Sequence, residues 1–503
     1  MKNDNKKLTL TALILMIFTS VFGFANMPRS YLLMGYAAIP WYVIIAFVFF
    51  IPYAFMMAEY GSAFKHESGG MYSWMEKSVG PKYAFIGTFM WYASYIVWMV
   101  NVASSIWVPL SNLIFGKDVT SSWSIMGLNS TQTLGVLGIL WMIFVTFIGS
   151  KGIEKIRKIT SAGGAFIAIL NVLLIVGAII VLILNGGEVA QPLDNLSSAF
   201  IQSPNPDYKS VLQILSFITF AIFAYGGLEV LGGLVDQTEN AEKTFPKAII
   251  ISATVISIGY AVGIFACGLF TNWGYVLSSE DVNLSNVAYI LMNNLGVQLG
   301  YAMGFSEAAS ITIGMWVARF VGLSMLLALS GAFFTLTYSP LKTLIHGAPK
   351  KIWPGKMGEI KDGMPVNAMY IQCVIVILIT ILVSFGGQGA KEFFRVLVLM
   401  TNVAMTIPYL FLAAAFPKFK KKQLELEKEN GAKSYKVYKS YKSALIMAII
   451  ICVVVGFANV FTIIEPAMSG RLFDTIMMIA GPVTFSVVAF ILYTVYENKY
   501  LRK

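Results

Sequence analysis

Apolar runs of membrane length alternate with short polar connections along almost the whole chain. The runs lie near residues 8–34, 40–63, 82–113, 132–149, 159–186 and 210–236, and then near 246–271, 309–338, 366–386, 391–416, 443–464 and 473–496. A helix needs about 20 apolar residues to cross the hydrocarbon of a bilayer, so each run predicts one crossing. The pattern predicts an all-α, polytopic membrane protein with twelve transmembrane helices. The stretch near 283–303 is also apolar, but Asn286, Asn293, Asn294 and its glycines mark it as a helical outer loop. The first run is longer than a signal-peptide core and no small-residue cleavage site clearly follows it, so it reads as a retained span.

Two runs are interrupted. The sixth contains Phe223, Ala224, Tyr225, Gly226, Gly227, Leu228 and Glu229 in unbroken order. Adjacent glycines weaken a helix by roughly 1 kcal/mol each relative to alanine, and a carboxylate facing lipid is costlier still. Backbone leaves the helical ladder at bilayer depth only where it is buried in protein or lines a cavity, which makes this break a candidate ligand site. The alternative is a kink that serves packing alone. The first run carries Gly23 near its middle and Pro28 beyond it, so it too is interrupted.

Counting five helices from the first reaches the sixth, and an odd offset turns the second unit upside down. This predicts a five-plus-five inverted repeat within a single transmembrane domain, 1–503. Repeat one spans about 8–186, repeat two about 210–416, and two extra helices about 443–496. In that arrangement the amides opening the second half of helix 1 face a carboxylate. The carbonyls closing the first half of helix 6 face an ammonium, so a zwitterion fits between them.

Composition excludes several function classes. With 57% hydrophobic and 12% charged residues, the chain is not a soluble globular protein. Its net charge of +11 comes from basic residues in short loops rather than on one folded face, so membrane topology explains it better than nucleic acid. Most of the 36 Lys and Arg fall at the termini and after the even-numbered helices. Only Lys117, Lys209, Lys391, Arg395 and Arg471 lie in the opposite loops, while Arg29 and Arg319 lie within spans. The bias predicts both termini in the cytoplasm. The richest stretch, Lys418 to Lys442, reads as a topology anchor, with a regulator or anionic lipid as the other reading. Cys267, Cys373 and Cys452 sit inside apolar runs without metal-knuckle spacing and are expected to be free thiols. His66 and His346 are the only histidines. Metal sites, cofactors and an intramembrane enzyme are therefore not expected.

Further motifs accompany the breaks. Helix 2 ends with Ala58, Glu59, Tyr60 and Gly61, followed by Glu67, Ser68, Gly69, Gly70, Met71 and Tyr72. After helix 6 come Asn240, Ala241, Glu242, Lys243, Thr244, Phe245 and Pro246, and Gly363, Met364 and Pro365 open helix 9. In these motifs and in Phe223 to Glu229, the chain resembles the amino acid-polyamine-organocation superfamily of permeases. Within it the chain is most similar to the glutamate/GABA antiporter family and its YjeM-type branch. The resemblance covers most of the chain and implies the LeuT-like fold.

Carried over residue by residue, the resemblance implies a substrate site at Val21, Phe22, Gly23 and Phe24 on helix 1 and at Phe223, Ala224, Gly226 and Gly227 on helix 6. The helix 1 motif of the family is usually Gly-Ser-Gly, and here Val21 and Phe22 depart from it. Phe223 is the implied aromatic gate, and the carbonyls of Phe223, Ala224 and Gly226 receive the amino group. Glu229 stands where relatives carry a carboxylate linked to helix geometry and proton coupling, with a purely structural carboxylate as the alternative. Glu59 is read as a gate or loop anchor. Arg319 is read as a group that attracts an acidic side chain or forms an ion pair for packing. Arg29 is expected to snorkel to the outer surface. Tyr95, Trp98, Asn101, Phe334 and Asn402 are candidate pocket-lining residues, although aromatic and amide side chains also pack between helices.

The lysine that some sodium-independent relatives carry midway along helix 5 is absent, and Phe166, Ile167 and Ala168 stand there. A proton on Glu229, a sodium site using Ser330 and helix 1 carbonyls, and exchange without an ion are all compatible with that. The functional expectation is a secondary active transporter of amino acids or related amines in the cell (inner) membrane. It works by alternating access and most simply as an antiporter. A proton- or sodium-coupled symporter and a non-transporting amino acid sensor are the alternatives. The expected partners are a small amino acid or amine and the lipid bilayer, without nucleic acid or an obligate protein partner.

Overall fold

A computed structural model describes residues 7–193, 196–284, 286–430 and 435–501. Among these residues the chain is helical, with isolated β-bridges and no named strand. The first apolar stretch contains α1 (Leu10–Val21), α2 (Asn26–Met34), α3 (Ala38–Ile45), a π-wound turn at Ala46–Phe50 and α4 (Ile51–Ala63). Next come α5 (Gly70–Ser78), α6 (Pro81–Ser105), α7 (Trp107–Phe115), α8 (Ser130–Gly149) and α9 (Ile153–Leu184). The short α10 (Leu196–Ile201) precedes α11 (Val211–Ala224), which gives way to a 3₁₀ segment at Leu228–Gln237. Then follow α12 (Ala241–Phe270), α13 (Trp273–Val276), α14 (Val287–Ala302) and α15 (Glu307–Gly347). The chain closes with α16 (Val366–Phe385), α17 (Gly387–Ala404), α18 (Ile407–Asn430), α19 (Tyr441–Met468) and α20 (Leu472–Tyr500).

Eleven helical stretches among the described residues are long and apolar enough to cross a membrane. One of them, Leu10–Ala63, is 54 residues long and holds both of the first two runs read from the sequence. The helix expected as an outer loop is α14, and it is not among the eleven. The run near 391–416 divides into α17 and α18 because Pro408 lacks the amide that would continue the ladder back to Ala404. α18 then carries on to Asn430, so the first part of the basic stretch is helix rather than loop, and residues 431–434 lie outside the described residues.

Local sequence accounts for several helix starts. Asn129 with Gln132 and Ser210 with Gln213 form reciprocal capping boxes that satisfy the first amides of α8 and α11. Large apolar residues left exposed, such as Phe147 on α8, Val172 on α9 and Val453 on α19, form the surface that a bilayer solvates. Inside, small residues let helices approach closely. A Cβ on Gly163 would lie 2.5 Å from the Leu327 carbonyl oxygen, and one on Gly164 would lie 2.1 Å from that of Leu15, so α9 wedges between α15 and α1.

The face that carries the N-terminal residues is closed by polar ties. The Leu8 amide donates to the Gln237 carbonyl at 2.8 Å and the Glu239 amide to the Leu8 carbonyl at 2.9 Å, fastening the chain start to the end of the 3₁₀ segment. Lys342 on α15 donates to the Gly233 carbonyl at 2.9 Å and to Asp236 at 2.6 Å. Glu59, at the end of α4, accepts from Lys420 on α18 and from the backbone amides of Val437 and Tyr438 at 2.6 and 2.7 Å. Both Glu59 and Lys420 are fully enclosed. Glu59 therefore anchors the connection between α18 and α19.

Removing one partner of a buried ion pair strands the other charge and costs about 3–5 kcal/mol, whereas replacing both with apolar side chains of similar volume is close to neutral. Glu59→Ala is expected to lower the melting temperature of the purified protein clearly, and Glu59→Met with Lys420→Met to recover most of the loss. Equal melting temperatures for wild type and the single variant would remove this tie from the account of the fold.

Candidate functional site

Four residues, Phe22 to Ala25, separate α1 from α2. The Gly23 amide is held by the Val21 carbonyl at 3.0 Å and by the Tyr260 hydroxyl at 3.2 Å, while the Phe24 and Ala25 amides have no acceptor among the described residues. In the second break, Tyr225 to Gly227 separate α11 from the 3₁₀ segment. Gly227 has φ of 114°, a conformation that side-chain-bearing residues rarely adopt, and a Cβ there would lie 2.7 Å from the Ser20 carbonyl oxygen. Glycine thus permits both the turn and the close approach of one break to the helix that carries the other.

Tyr260, buried in the middle of α12, joins the two breaks. Its hydroxyl lies 3.1 Å from the Val21 carbonyl oxygen and 3.1 Å from the Ala224 carbonyl oxygen, and it accepts from the Gly23 amide and from Asn26 Nδ2, each at 3.2 Å. Tyr225 completes the junction: its hydroxyl donates to the Tyr42 carbonyl at 3.2 Å, and its ring stacks on Phe50 at 4.5 Å, in the π-wound turn. A π-turn widens the helix by one residue and often occurs beside functional sites.

Two cavities flank the junction. The larger, about 470 Å³, receives Thr19 and Ser20 from α1 and Phe223, Gly226 and Gly227 from the second break. Tyr95, Trp98 and Asn101 of α6 form another wall, and Leu329, Ala332 and Leu336 of α15 a third. Thr401 and Asn402 of α17, with Thr406 and Tyr409, close it. Among the described residues, its lining includes no Asp, Glu, Lys, Arg or His. The smaller cavity, about 310 Å³, is lined by Phe22, Gly23, Phe24, Asn26 and Arg29 together with Tyr289 of α14. Thr19, Leu329 and Ala332 belong to both.

The sequence expectation placed the helix 1 amides and the helix 6 carbonyls on one ligand. In the structure they open onto neighbouring cavities that share a wall. Val21 and Ala224 line neither, because their carbonyls turn to Tyr260. Phe22 does not fill the ligand space. Its ring packs over Gly259, where a Cβ would lie 2.6 Å from it, and meets Tyr260 edge-on at 5.1 Å. Tyr95, Trp98, Asn101 and Asn402 all face the larger cavity.

Phe334 does not line either cavity. Leu329, Ala332 and Leu336 share one face of α15, and Phe334 is two residues from Ala332, which turns it toward Trp141 and Phe144 of α8. Arg319 lies near Gly116, 5.1 Å from the Trp316 ring, with no ion pair among the described residues and no place in either cavity. Arg29 is half-buried along the smaller cavity, and its Nε donates to the Leu284 carbonyl of an exposed loop at 2.7 Å. The Ser330 hydroxyl, weighed as a sodium ligand, donates to the Leu326 carbonyl of its own helix at 2.6 Å.

Glu229, the second residue of the 3₁₀ segment, is fully buried, and its carboxylate faces Trp91, Tyr409 and the backbone of Gly227 without a short, well-aligned hydrogen bond. Tyr53 and Tyr95 also stand around it. Tyr95 and Tyr409 also line the larger cavity, so they separate the carboxylate from it. Sequence reasoning missed Tyr260 and Tyr409. A lone tyrosine amid the apolar residues 255–266 was the available signal for the first, and a polar stripe of Thr401, Asn402 and Thr406 running toward Tyr409 the signal for the second.

The family described as amino acid permease matches residues 8–488 of the chain. The inner membrane transporter YjeM of Salmonella typhimurium (strain LT2) is 52% identical over 501 residues, covering 99% of this chain and 98% of the relative. The aspartate/glutamate permease AcaP of Lactococcus lactis subsp. cremoris is 23% identical over 419 residues, 82% of this chain and 80% of the relative. The glutamate/gamma-aminobutyrate antiporter of Lactococcus lactis subsp. lactis is 22% identical over 459 residues, 90% of this chain and 83% of the relative. These relatives are named as transporters, permeases and antiporters rather than enzymes. With a family match and a full-length identity of this extent, on a helical chain broken twice beside a cavity, the chain belongs to the amino acid permease family.

Proposed function

We propose that the protein is a secondary active transporter of amino acids or related amines, located in the inner membrane with both termini cytoplasmic and working as an antiporter. The observation that carries this reading is the pair of helix breaks meeting at Tyr260 beside a cavity that mixes polar groups with an apolar lining. Backbone carbonyls and amides released from helices at membrane depth offer a zwitterion its counter-groups without a charged side chain. The stretch Leu10–Ala63 supports a twelve-crossing count, since 54 residues in helical rise exceed one bilayer thickness and α2 and α3 meet at a turn. The breaks at Phe22–Ala25 and Tyr225–Gly227 support a five-plus-five inverted repeat. Exchange is favoured as the mode by the antiporter among the relatives.

A proton-coupled symporter is the second reading. Glu229 favours it, as a fully buried carboxylate next to two cavity-lining tyrosines. A group that carries a proton during transport must change its surroundings between states, and a carboxylate directly after a helix break is placed to do so. In either mode the segment Leu228–Gln237 moves with α1, because Gly227 is pressed against Ser20.

Counterflow into proteoliposomes tests the transport reading. Vesicles preloaded with a mixture of unlabelled amino acids are expected to accumulate labelled amino acid from outside, and empty vesicles without an ion gradient are not. Saturable binding to purified protein with no uptake under any gradient would instead make the protein a sensor. The bound ligand should raise the melting temperature by mass action, and Phe223→Ala should weaken that stabilisation by about tenfold in ligand concentration. An unchanged concentration dependence in Phe223→Ala would take the ring out of the binding site. Glu229→Gln keeps the shape and removes the titrating group, so uptake by the variant should be flat with pH where the wild type varies. A wild-type profile retained in the variant would assign Glu229 a structural role.

A further inference from the structure

The larger cavity sets a few polar groups in a mostly apolar lining and carries no formal charge among the described residues. Arg29 belongs to the smaller cavity, and Glu229 is fully buried behind Tyr95 and Tyr409. A solute whose side chain is ionised would have to leave that charge desolvated and without a counter-ion, which low-dielectric surroundings penalise strongly.

The side chains that remain are not equivalent. Thr19 and Ser20 both donate to the Met16 carbonyl, at 2.8 and 3.0 Å, and Thr401 donates to the Val398 carbonyl at 2.9 Å. Thr406 is bonded to the Val403 carbonyl and to Asn459, at 3.0 and 2.6 Å. These hydroxyl protons are occupied within the protein. Asn101 on α6 and Asn402 on α17 differ: both are exposed into the cavity, and neither amide has a hydrogen-bond partner among the described residues. Each lies in a membrane-length helix, where an unpaired amide is unfavourable unless water or a solute completes it. A primary amide offers two donors and an acceptor in one plane, which complement another carboxamide or a urea group.

We propose that the preferred solute is an α-amino acid with an uncharged, hydrogen-bonding side chain of the carboxamide or ureido class, such as glutamine, asparagine or citrulline, read by Asn101 and Asn402. The inference rests on the transport reading above and adds the side-chain class to it. It separates this chain from the relatives named for aspartate and glutamate, whose solutes bring an additional carboxylate.

The test is a competition series in counterflow, using proteoliposomes of the full chain preloaded with a mixed amino acid pool. Labelled glutamine is the tracer, and the competitors are asparagine, citrulline, leucine, glutamate, arginine and putrescine. Asparagine and citrulline are expected to compete at concentrations at least about tenfold below those of leucine, glutamate and arginine, since a site built to hydrogen-bond a side chain rejects analogues that lack the bond. Glutamate or arginine competing better than the carboxamides overturns the side-chain assignment and leaves amino acid transport standing. Exchange of putrescine alone overturns the side-chain assignment and leaves transport of an amine standing, whereas accumulation of no tracer under counterflow removes the exchange reading as well.

Asn402→Leu and Asn101→Leu are each expected to lower the glutamine-to-leucine preference about tenfold, a ratio taken within one preparation and so independent of how much protein folds. Asn402→Asp should shift preference toward arginine over glutamine. If all three variants keep the wild-type ratios, the amides do not read the side chain and the proposal fails.

Discussion

The Tyr260 hydroxyl is the contact on which the site depends. Two helices that stop inside a membrane each leave backbone groups unpaired, and hydrocarbon offers nothing to pair them. One hydroxyl lies within bonding distance of Val21, Gly23 and Ala224, so the two breaks satisfy each other through a third helix. Gly259, the residue before it, leaves room for the Phe22 ring, and Gly227 lets the second break lie against Ser20. The helix halves are thereby held as one unit, and the amides left over at Phe24 and Ala25 lie in segments that line the smaller cavity.

Charge is distributed around this junction in a consistent way. Among the described residues the larger cavity has none on its lining, while the face where the chain starts carries the ion pairs Glu59 with Lys420, Asp236 with Lys342, and Lys65 with Glu242. The first two join elements far apart in sequence and are largely sealed from water. Such pairs add little net stability over apolar packing, but they are costly to break singly. Glu229 belongs to neither group. It sits one layer behind the cavity, fully buried and enclosed by aromatic residues.

The individual residues show how far local pattern reaches. Gly226 and Gly227 announced their break because adjacent glycines followed by a carboxylate make no sense on a lipid-facing helix, and the backbone leaves the α-helix there. Asn101 and Asn402 were legible for the same reason, as amides in apolar runs. Phe334 was not, because an aromatic residue on a membrane helix packs equally well on any face, and only the rotation of α15 decides which one. Phe22 departed from the family's helix 1 motif, and its partner Gly259 lies more than two hundred residues away, too far for local pattern to reveal. Arg319 carried a charge but no signal of where its helix meets its neighbours, and it lies beside Gly116, outside both cavities.

The sequence by itself determined the helical class, the apolar spans, the family and the positions at which two helices break. Those properties follow from hydropathy, from the weakness of glycine in a helix and from motifs a few residues long, all of which act locally. Only the tertiary structure decided that the breaks open onto two cavities rather than one, that Tyr260 ties them together, and that no formal charge lines the larger cavity. Those outcomes depend on how helices rotate and approach one another, which is set by contacts such as Gly164 against Leu15 and Gly227 against Ser20, between residues distant along the chain.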